Sequence, residues 1–321
     1  MAGNFVQLHN HTHYSLLDGA SKVPDLVKRV KELGMPAVGI TDHGNMHGAY
    51  ELWRAAVDSG VKPIIGIEAY VTPETARQDK TRVSWDTNWT PVPGHARNPD
   101  DVSGGGLITH LTMWAENDEG LVNLIKASSV ANLEGRVMRY PRMDKEVLST
   151  YSKGVIASSG CPSGIIQTRL RLGQFDEALR AAGEFQDIFG KDNFYIELMD
   201  HGLSIESKVT GDLLTIAKKL GAPLLATNDS HYVMEADKDA QDAMLCINSG
   251  ATLDDPNRFK FEGSGYYIKS AEEMRELFKD HPDACDNTLE IAERCNVIFD
   301  DHEDGAFMPQ FDCPEGWDET S

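Results

Sequence analysis

The sequence is poor in cysteine and has no long apolar segment. Its 321 residues contain five cysteines, an odd number, and no Cys-x-x-Cys pair. This favours a reduced, cytoplasmic chain over a secreted disulfide scaffold. No apolar run approaches the ~20 residues needed to cross a bilayer, and Met1–Phe5 lack the charged and then apolar pattern of a signal peptide. We therefore expect a cytoplasmic protein without a membrane partner.

Positive charge is also scarce. Lys and Arg total 30 against 51 Asp and Glu, which gives a formal net charge of −21. Such a surface repels a phosphate backbone and excludes strong nonspecific binding of DNA. It leaves open a local cationic site made of metal ions. Apolar residues make up 40% of the chain, enough for a sizeable core, so wholesale disorder is excluded.

Short β-rich runs alternate with helical patterns along the chain. This alternation predicts a parallel sheet, and seven such units favour a closed or nearly closed α/β barrel, with a doubly wound open sheet as the alternative. The predicted strands are Phe5–His9, Ala37–Thr41, Ile64–Val71, Leu107–Ala115, Val155–Ser159, Phe194–Met199 and Leu224–Thr227. The predicted helices are Val23–Leu33, Met46–Ser59, Glu116–Leu133, Ser163–Phe189 (as two helices) and Ser204–Leu220.

The alternation is interrupted twice. Residues 72–106 hold four prolines and a Gly-Gly-Gly run, which predicts a long functional or irregular connection. Beyond Ala240 we predict a C-terminal α/β extension over residues 240–299, and residues 300–321, with eight acids and no Lys or Arg, are typical of a linker. The extension is predicted to contain strands Arg258–Phe261 and Tyr266–Lys269 and helices Ala271–Phe278 and Pro282–Cys295. We thus expect one domain over residues 1–299 and an acidic linker toward a region absent from this sequence.

Metal-binding side chains follow most of the predicted strands. In a parallel α/β barrel the carboxyl ends of the strands form one face, so these side chains would converge there. His9 and His11 are two residues apart, as are Asp229 and His231, and residues at this spacing in an extended segment point to the same side. We therefore predict a multinuclear metal site. Its candidate ligands are His9, His11, Asp18, Asp42, His43, Glu68, His110, Cys161, Asp229 and His231.

Each residue also has a plainer interpretation. A lone histidine is commonly hydrogen-bonded or solvated, Cys161 could be a small buried residue, and Asp42 could cap the following helix. A mixed set of imidazoles, carboxylates and one thiolate suits zinc, with manganese or iron as alternatives. Candidates for contacting a substrate are His201 and the cations Arg169, Arg171, Arg258 and Lys260, although solvated surface charge is the plainer interpretation of each cation.

The motifs around these residues resemble those of the PHP (polymerase and histidinol phosphatase) superfamily, in particular the N-terminal PHP domains of bacterial DNA polymerase III alpha subunits. The resemblance covers residues 4–299. The motifs that carry it are His9-Asn-His11, Asp18-Gly19, Thr41-Asp42-His43-Gly44, Gly66-Ile67-Glu68, His110, Gly160-Cys161-Pro162-Ser163-Gly164, Asn228-Asp229-Ser230-His231 and Asp255-Pro256-Asn257-Arg258-Phe259.

The resemblance implies a distorted seven-stranded (β/α)7 barrel with three divalent metal ions. It implies that His9, His11, Glu68 and Asp229 hold one ion and that Glu68 bridges to a second ion bound by His110 and Cys161. The third ion would be held by Asp18, His43 and His231. None of the nine positions is missing here.

The resemblance also implies an activity. It implies proofreading by a 3′–5′ exonuclease that hydrolyses the end of single-stranded DNA, with His43, Asp229 and His231 as catalytic residues. The whole protein would then be a DNA-directed DNA polymerase whose core lies beyond Ser321, and other replisome subunits are possible partners. Two alternatives stay open: a stand-alone phosphatase of a small phosphomonoester, and a metal-stabilised scaffold within the polymerase assembly.

Overall fold

The computed structural model describes residues 4–92 and 97–300 and is a mixed α/β structure. Its strands are β1 (Ala37–Ile40), β2 (Lys62–Val71), β3 (Thr109–Ala115), β4 (Arg142–Met143), β5 (Val155–Ser158), β6 (Phe194–Leu198) and β7 (Leu224–Ala226). Its helices are α1 (Val23–Glu32), α2 (Ala49–Ser59), α3 (Ser103–Gly106), α4 (Asp118–Leu133), α5 (Lys145–Thr150), α6 (Ile165–Arg171), α7 (Phe175–Phe189), α8 (Ser204–Leu220), α9 (Lys238–Ser249), α10 (Ala271–Leu277) and α11 (Pro282–Arg294).

The sheet curls into a distorted barrel. Its strand order is β1-β2-β3-β5-β6-β7, with β4 paired to β2 outside this path. The predicted first strand is an extended segment held by single bridges, from Gln7 to Val38 on one side and from Asn10 to Ser230 on the other. This segment joins the two edges of the sheet and serves as the seventh strand of the barrel. The prediction of a distorted seven-stranded barrel is confirmed, and the open-sheet alternative is wrong.

The prediction that all strands are parallel is wrong for β3, which runs antiparallel to both β2 and β5. The long connection 72–106 returns the chain at the end of the barrel where β2 finishes, so β3 starts there and runs back. His110, near the start of β3, consequently lies opposite Tyr70, near the end of β2. A ligand at the beginning of β3 thus reaches the same rim as ligands at the ends of parallel strands.

Helix α11 closes the opposite end of the barrel. Ile291 and Ala292 of α11 belong to a buried cluster with Val6, Leu8 and other residues near the lower ends of the strands. The backbone amide of Val6 donates to Thr288 Oγ1 of α11 at 3.1 Å. The core below is therefore sealed by apolar packing, and the upper rim is left for polar side chains.

The segment 258–269 does not form the two predicted strands, so that prediction is wrong. Among the described residues of this segment, Tyr267 alone makes a strand-type bridge, to Tyr232. The carbonyls of Gly265 and Tyr267 instead accept hydrogen bonds from the Asn228 side-chain amide, at 2.9 and 2.8 Å. Helices α10 and α11 do form where two helices were predicted. The expected acidic linker, apart from Asp300, lies outside the described residues.

The described parts of the long connection, residues 72–92 and 97–106, are packed against the barrel by their own side chains. Trp85 is buried, its backbone amide donates to Asp101, and the Arg169 guanidinium lies 3.7 Å from the centre of its ring. Within the described ranges, no helix is long and apolar enough to cross a membrane.

Candidate metal centre

Side chains from the strands of the barrel and the turns beside them converge at its upper rim. Most come from the end of an extended segment or from the turn that follows it, whereas Glu68 lies within β2 and His110 near the start of β3. We call this group the metal centre. Its nine residues are the nine ligands that the resemblance implied: His9, His11, Asp18, His43, Glu68, His110, Cys161, Asp229 and His231.

Glu68, at the middle of the metal centre, is fully buried on β2. Its Oε2 lies 2.6 Å from His43 Nδ1, and its Oε1 lies 3.1 Å from His110 Nδ1. The Nε2 atoms of His9 and His11 each lie 3.5 Å from a carboxylate oxygen of Glu68. One carboxylate thus faces four imidazoles, the arrangement expected of a residue shared between two ions.

Asp229 forms a second focus of the metal centre. Its Oδ1 lies 3.0 Å from His11 Nε2 and 3.4 Å from His9 Nε2. Its backbone has a φ of 44°, in the left-handed region that costs a residue with a side chain about 1–3 kcal/mol. The neighbouring Ser230 holds this conformation through two backbone hydrogen bonds to the first extended segment. Its amide donates to the carbonyl of His9, and its carbonyl accepts from the amide of His11.

Two further groups complete the rim. Asp18 Oδ2 lies 3.0 Å from His43 Nε2 and 3.9 Å from His231 Nε2. Cys161 Sγ lies 3.3 Å from His110 Nδ1. Three sets of ligand atoms each fall within 4.8 Å of one another: His9 with His11 and Asp229, His43 with Glu68 and His110, and His11 with His43 and His231.

Buried atoms of seven of these nine residues lack hydrogen-bond partners. Buried polar atoms are normally paired, since an unpaired one costs about 1–3 kcal/mol. The buried atoms here without a hydrogen-bond partner are His9 Nε2, His11 Nε2, Asp18 Oδ1, His43 Nδ1, Glu68 Oε1 and Oε2, Asp229 Oδ1 and His231 Nε2. Nitrogen and oxygen atoms left unpaired in this pattern fit coordination of divalent cations.

The electrostatics of the site favour the ligand forms of its carboxylates. Burial opposes ionisation of Glu68, but His110 and His43 outweigh it and hold its pKa well below the usual range. Burial likewise opposes ionisation of Asp229, yet His9 and His231 lower its pKa. Burial, with the nearby His43 and His231, lowers the pKa of His11 to about 3. Both carboxylates are therefore ionised and His11 is neutral, the forms that bind metals.

Asp42 orients the metal centre from behind. Its carboxylate accepts hydrogen bonds from the Thr12 amide at 2.7 Å, from the Thr12 hydroxyl at 2.8 Å and from the Ser15 hydroxyl at 2.7 Å. Ser15 Oγ in turn lies 2.9 Å from His11 Nδ1 and accepts from the His43 amide at 3.1 Å. Asp42 therefore braces two candidate ligands; it does not cap a helix.

Glu197, which the sequence analysis missed, orients His9. It is buried in β6, and its Oε1 lies 2.7 Å from His9 Nδ1. It also accepts hydrogen bonds from the hydroxyls of Ser158 and Thr227. A carboxylate that binds the outer nitrogen of a ligating histidine sets its tautomer and ring orientation. The available signal was a glutamate inside the apolar run Phe-Tyr-Ile-Glu-Leu.

Of the five candidate substrate contacts, two line a cavity above the metal centre and three make contacts within the protein. Lys260 and His201 line the cavity above the metal centre, although both ring nitrogens of His201 are engaged, with Glu206 and the Asn228 carbonyl. The three candidate arginines make contacts within the protein: Arg169 with Glu74, Arg171 with the carbonyls of Pro162 and Asp100, and Arg258 with Asp242.

The PHP domain family profile matches residues 7–201, more than half of the chain. The chain belongs to the PHP domain family. The resemblance found in the sequence is therefore confirmed. The profile match ends before Asp229 and His231, and it is the barrel geometry that brings this pair beside the other candidate ligands.

Curated relatives of this PHP domain are alpha subunits of DNA polymerase III. The subunit from Mycobacterium leprae is 52% identical over 319 residues, covering 99% of this chain and 26% of the relative. The subunit from Saccharopolyspora erythraea is 55% identical over 297 residues, covering 92% and 25%. The chain thus spans about a quarter of the length of the curated relatives it matches.

Similar solved structures are more distant from this PHP domain. A protein assigned as a metal-dependent phosphoesterase from Bifidobacterium adolescentis is 14% identical with a TM-score of 0.39, covering 85% of this chain and 96% of that one. An amidohydrolase from Chromobacterium violaceum is 15% identical with a TM-score of 0.37, covering 71% and 87%. Likenesses this weak add nothing to the family assignment.

Proposed function

We propose that this PHP domain is a metal-dependent 3′–5′ exonuclease that removes nucleotides from the end of single-stranded DNA. The observation that carries the proposal is the metal centre: nine ligand-type side chains, seven of which have buried atoms without a hydrogen-bond partner. The chain has a net charge of −21, so a strand needs a local source of positive charge to approach it. Relatives that are DNA polymerase III subunits make a DNA end a fitting substrate.

The proposed reaction is hydrolysis of the last phosphodiester bond. Water adds to phosphorus, the 3′ oxygen of the preceding nucleotide leaves, and a nucleoside 5′-monophosphate is released. Divalent ions in such a centre supply Lewis acidity and make water a nucleophile near neutral pH. Among the chain's own residues, Glu68 lies between the imidazoles, Glu197 and Ser15 orient His9 and His11, and we assign His43, Asp229 and His231 to the catalytic edge of the site.

We propose three divalent ions per chain, with zinc favoured and manganese or iron as alternatives. Five imidazoles, three carboxylates and a thiolate are a typical zinc ligand set. Burial raises the pKa of the Cys161 thiol, so this residue has to lose its proton when it binds a metal. The three compact ligand sets of the rim support more than one ion.

The setting of the domain belongs to the same proposal. Its relatives are about four times as long, so we propose that it works in a DNA-directed DNA polymerase, beside a polymerase core in the same chain and in contact with other replisome subunits. The division into a domain over residues 1–299 and a linker over 300–321 remains a prediction, as does the cytoplasmic location.

The polarity of digestion tests the proposal. Single-stranded DNA labelled at its 5′ end should shorten one nucleotide at a time with the metal-loaded protein, and the label should stay on the long products. A strand labelled at its 3′ end should release labelled mononucleotide at once, and a chelator should stop both reactions. Intact strands, or internal cleavage with no preference for the 3′ end, would contradict the proposal.

A further inference from the structure

Two cavities open onto the metal centre. The first has a volume of about 390 Å³ and the second of about 580 Å³. Both linings include Asp18 and His43. A strand with one phosphate at these residues can therefore extend into both cavities, and the chemistry of each lining indicates which part of the strand fits it.

The first cavity, which we call the arginine arm, is lined by Arg136 and Arg139 from the loop that follows α4. Both side chains are exposed, and their recorded hydrogen bonds go to a backbone carbonyl and a side-chain amide oxygen, with no ion pair to any residue that the structure describes. Asp18 is the one carboxylate among the described residues of this lining. The arm therefore offers two guanidinium groups without a carboxylate partner beside the metal centre.

Aromatic rings connect Arg139 to the metal centre. Its guanidinium carbon lies 5.3 Å from the centre of the Tyr140 ring, and the ring of Tyr140 lies 5.2 Å from that of Tyr70. The ring of Tyr70 is stacked on His43 at 5.9 Å with an interplanar angle of 12°. Arg139 also donates to Asn248 Oδ1. The position of this guanidinium is thus set by packing and a hydrogen bond, and its charge is not neutralised by a carboxylate.

The other arginines near this face are neutralised. Arg169 is paired with Glu74, and Arg258 is paired with Asp242. Arg171 is buried and donates to backbone carbonyls. Among the described arginines near this face, those of the arginine arm are therefore the two without a carboxylate partner, and the second cavity has one cation in its lining, Lys260.

The second cavity, which we call the aromatic arm, differs in charge and shape. Its lining includes Phe259, Phe261 and Tyr266, and the ring of Phe261 lies 4.6 Å from that of His231. Its lining also holds five carboxylates against one lysine, Lys260; the carboxylates are Asp18, Asp100, Glu206, Asp229 and Glu262. Carboxylates disfavour a second phosphate here, whereas aromatic faces stack well on a base. Its volume is also within the range of ordinary small-molecule sites.

We propose that Arg136 and Arg139 hold the phosphates of the DNA strand upstream of the bond that is cut, while the aromatic arm takes the terminal nucleoside. This inference rests on the proposed exonuclease function and names the strand-binding residues of that site. It also sets a polarity: the strand enters through the arginine arm, and its 3′ end stops against Phe259, Phe261 and Tyr266.

The test uses the double variant Arg136→Ala/Arg139→Ala with a short oligothymidylate and a dinucleotide as substrates. KM for the oligothymidylate should rise about tenfold or more, because two charged contacts to phosphate are lost. The dinucleotide, whose single phosphate occupies the metal centre, should be cut as fast as by the parent. The slope of log KM against log salt should fall by about 1.4, the amount for two phosphate contacts on a single strand.

Binding is measured in parallel, by fluorescence anisotropy with an oligothymidylate whose last linkage is a slowly cut phosphorothioate. A matched control, Lys153→Ala/Lys279→Ala, removes two exposed charges near the lower end of the barrel and should keep the parent's affinity and salt slope. Elemental analysis should give equal metal contents for all three proteins.

The outcomes separate the two proposals. If the parent digests the strand and the arginine variant matches it in KM and salt slope, the proposed role of the arginine arm is wrong and the proposed exonuclease function stands. If the parent binds the strand through the arginines but never cuts it, the role of the arginine arm stands and the proposed exonuclease function is wrong. A parent that neither binds nor cuts the strand overturns both.

Discussion

Glu197→Gln should weaken metal binding at His9 without removing a ligand. Glu197 is fully buried and accepts hydrogen bonds from His9 Nδ1, Ser158 Oγ and Thr227 Oγ1. Glutamine keeps the shape and one acceptor oxygen, but it removes the negative charge that makes the imidazole a stronger ligand. Changes of this kind typically cost 10–100-fold in metal affinity, which corresponds to about 1.4–2.8 kcal/mol.

The assay is competition for zinc between the protein and a chelator of known affinity, together with the number of ions per chain. Glu206→Gln is the matched control, because Glu206 is also buried and its Oε1 lies 2.5 Å from His201 Nδ1, a histidine outside the metal centre. It should cost stability and leave zinc affinity unchanged. If Glu197→Gln holds as many ions as tightly as the parent, the inferred role of Glu197 is wrong.

Two further predictions concern stability. Verified removal of the metals should lower the melting temperature by several degrees per tightly bound ion. The reason is that a ligand at about a thousand times its Kd adds about 4 kcal/mol to the free energy of unfolding. An unchanged calorimetric transition would contradict this. Gly66→Ala should destabilise the barrel by about 3 kcal/mol or more, because the new Cβ would lie 2.4 Å from Met113 O. In the same urea titration its control Gly211→Ala, in α8 with nothing within 4 Å, should gain up to about 1 kcal/mol, and equal midpoints for the two variants would refute the packing argument.

The metal centre could be anticipated from the sequence because its residues come at the ends of extended segments. The His9/His11 and Asp229/His231 spacings place side chains on one side of the chain whatever the details of the sheet. The structure brings these residues together with Glu68; their binding of metals stays a prediction.

Other features depend on contacts that a sequence pattern does not encode. The reversed direction of β3 follows from where a long loop returns to the sheet, and a strand pattern looks the same in either direction. Glu197 is one polar residue in an apolar run, and its partner His9 lies 188 positions away. The segment 258–269 has strand-type residues, but its carbonyls are taken by the Asn228 side chain. Arg136 and Arg139 differ from the other arginines only in what surrounds them.

The central claim is that the ions of this centre cut DNA. The most direct measurement records metal content and the rate of 3′-end digestion on the same samples of the parent, His43→Ala and Asp229→Ala. Each variant should hold fewer ions than the parent, keep its far-ultraviolet circular dichroism spectrum, and lose about a hundredfold or more in rate, in line with the several kcal/mol that a catalytic metal supplies. Variants that lose metal yet digest DNA at the parent rate would show that the nuclease activity does not come from this centre.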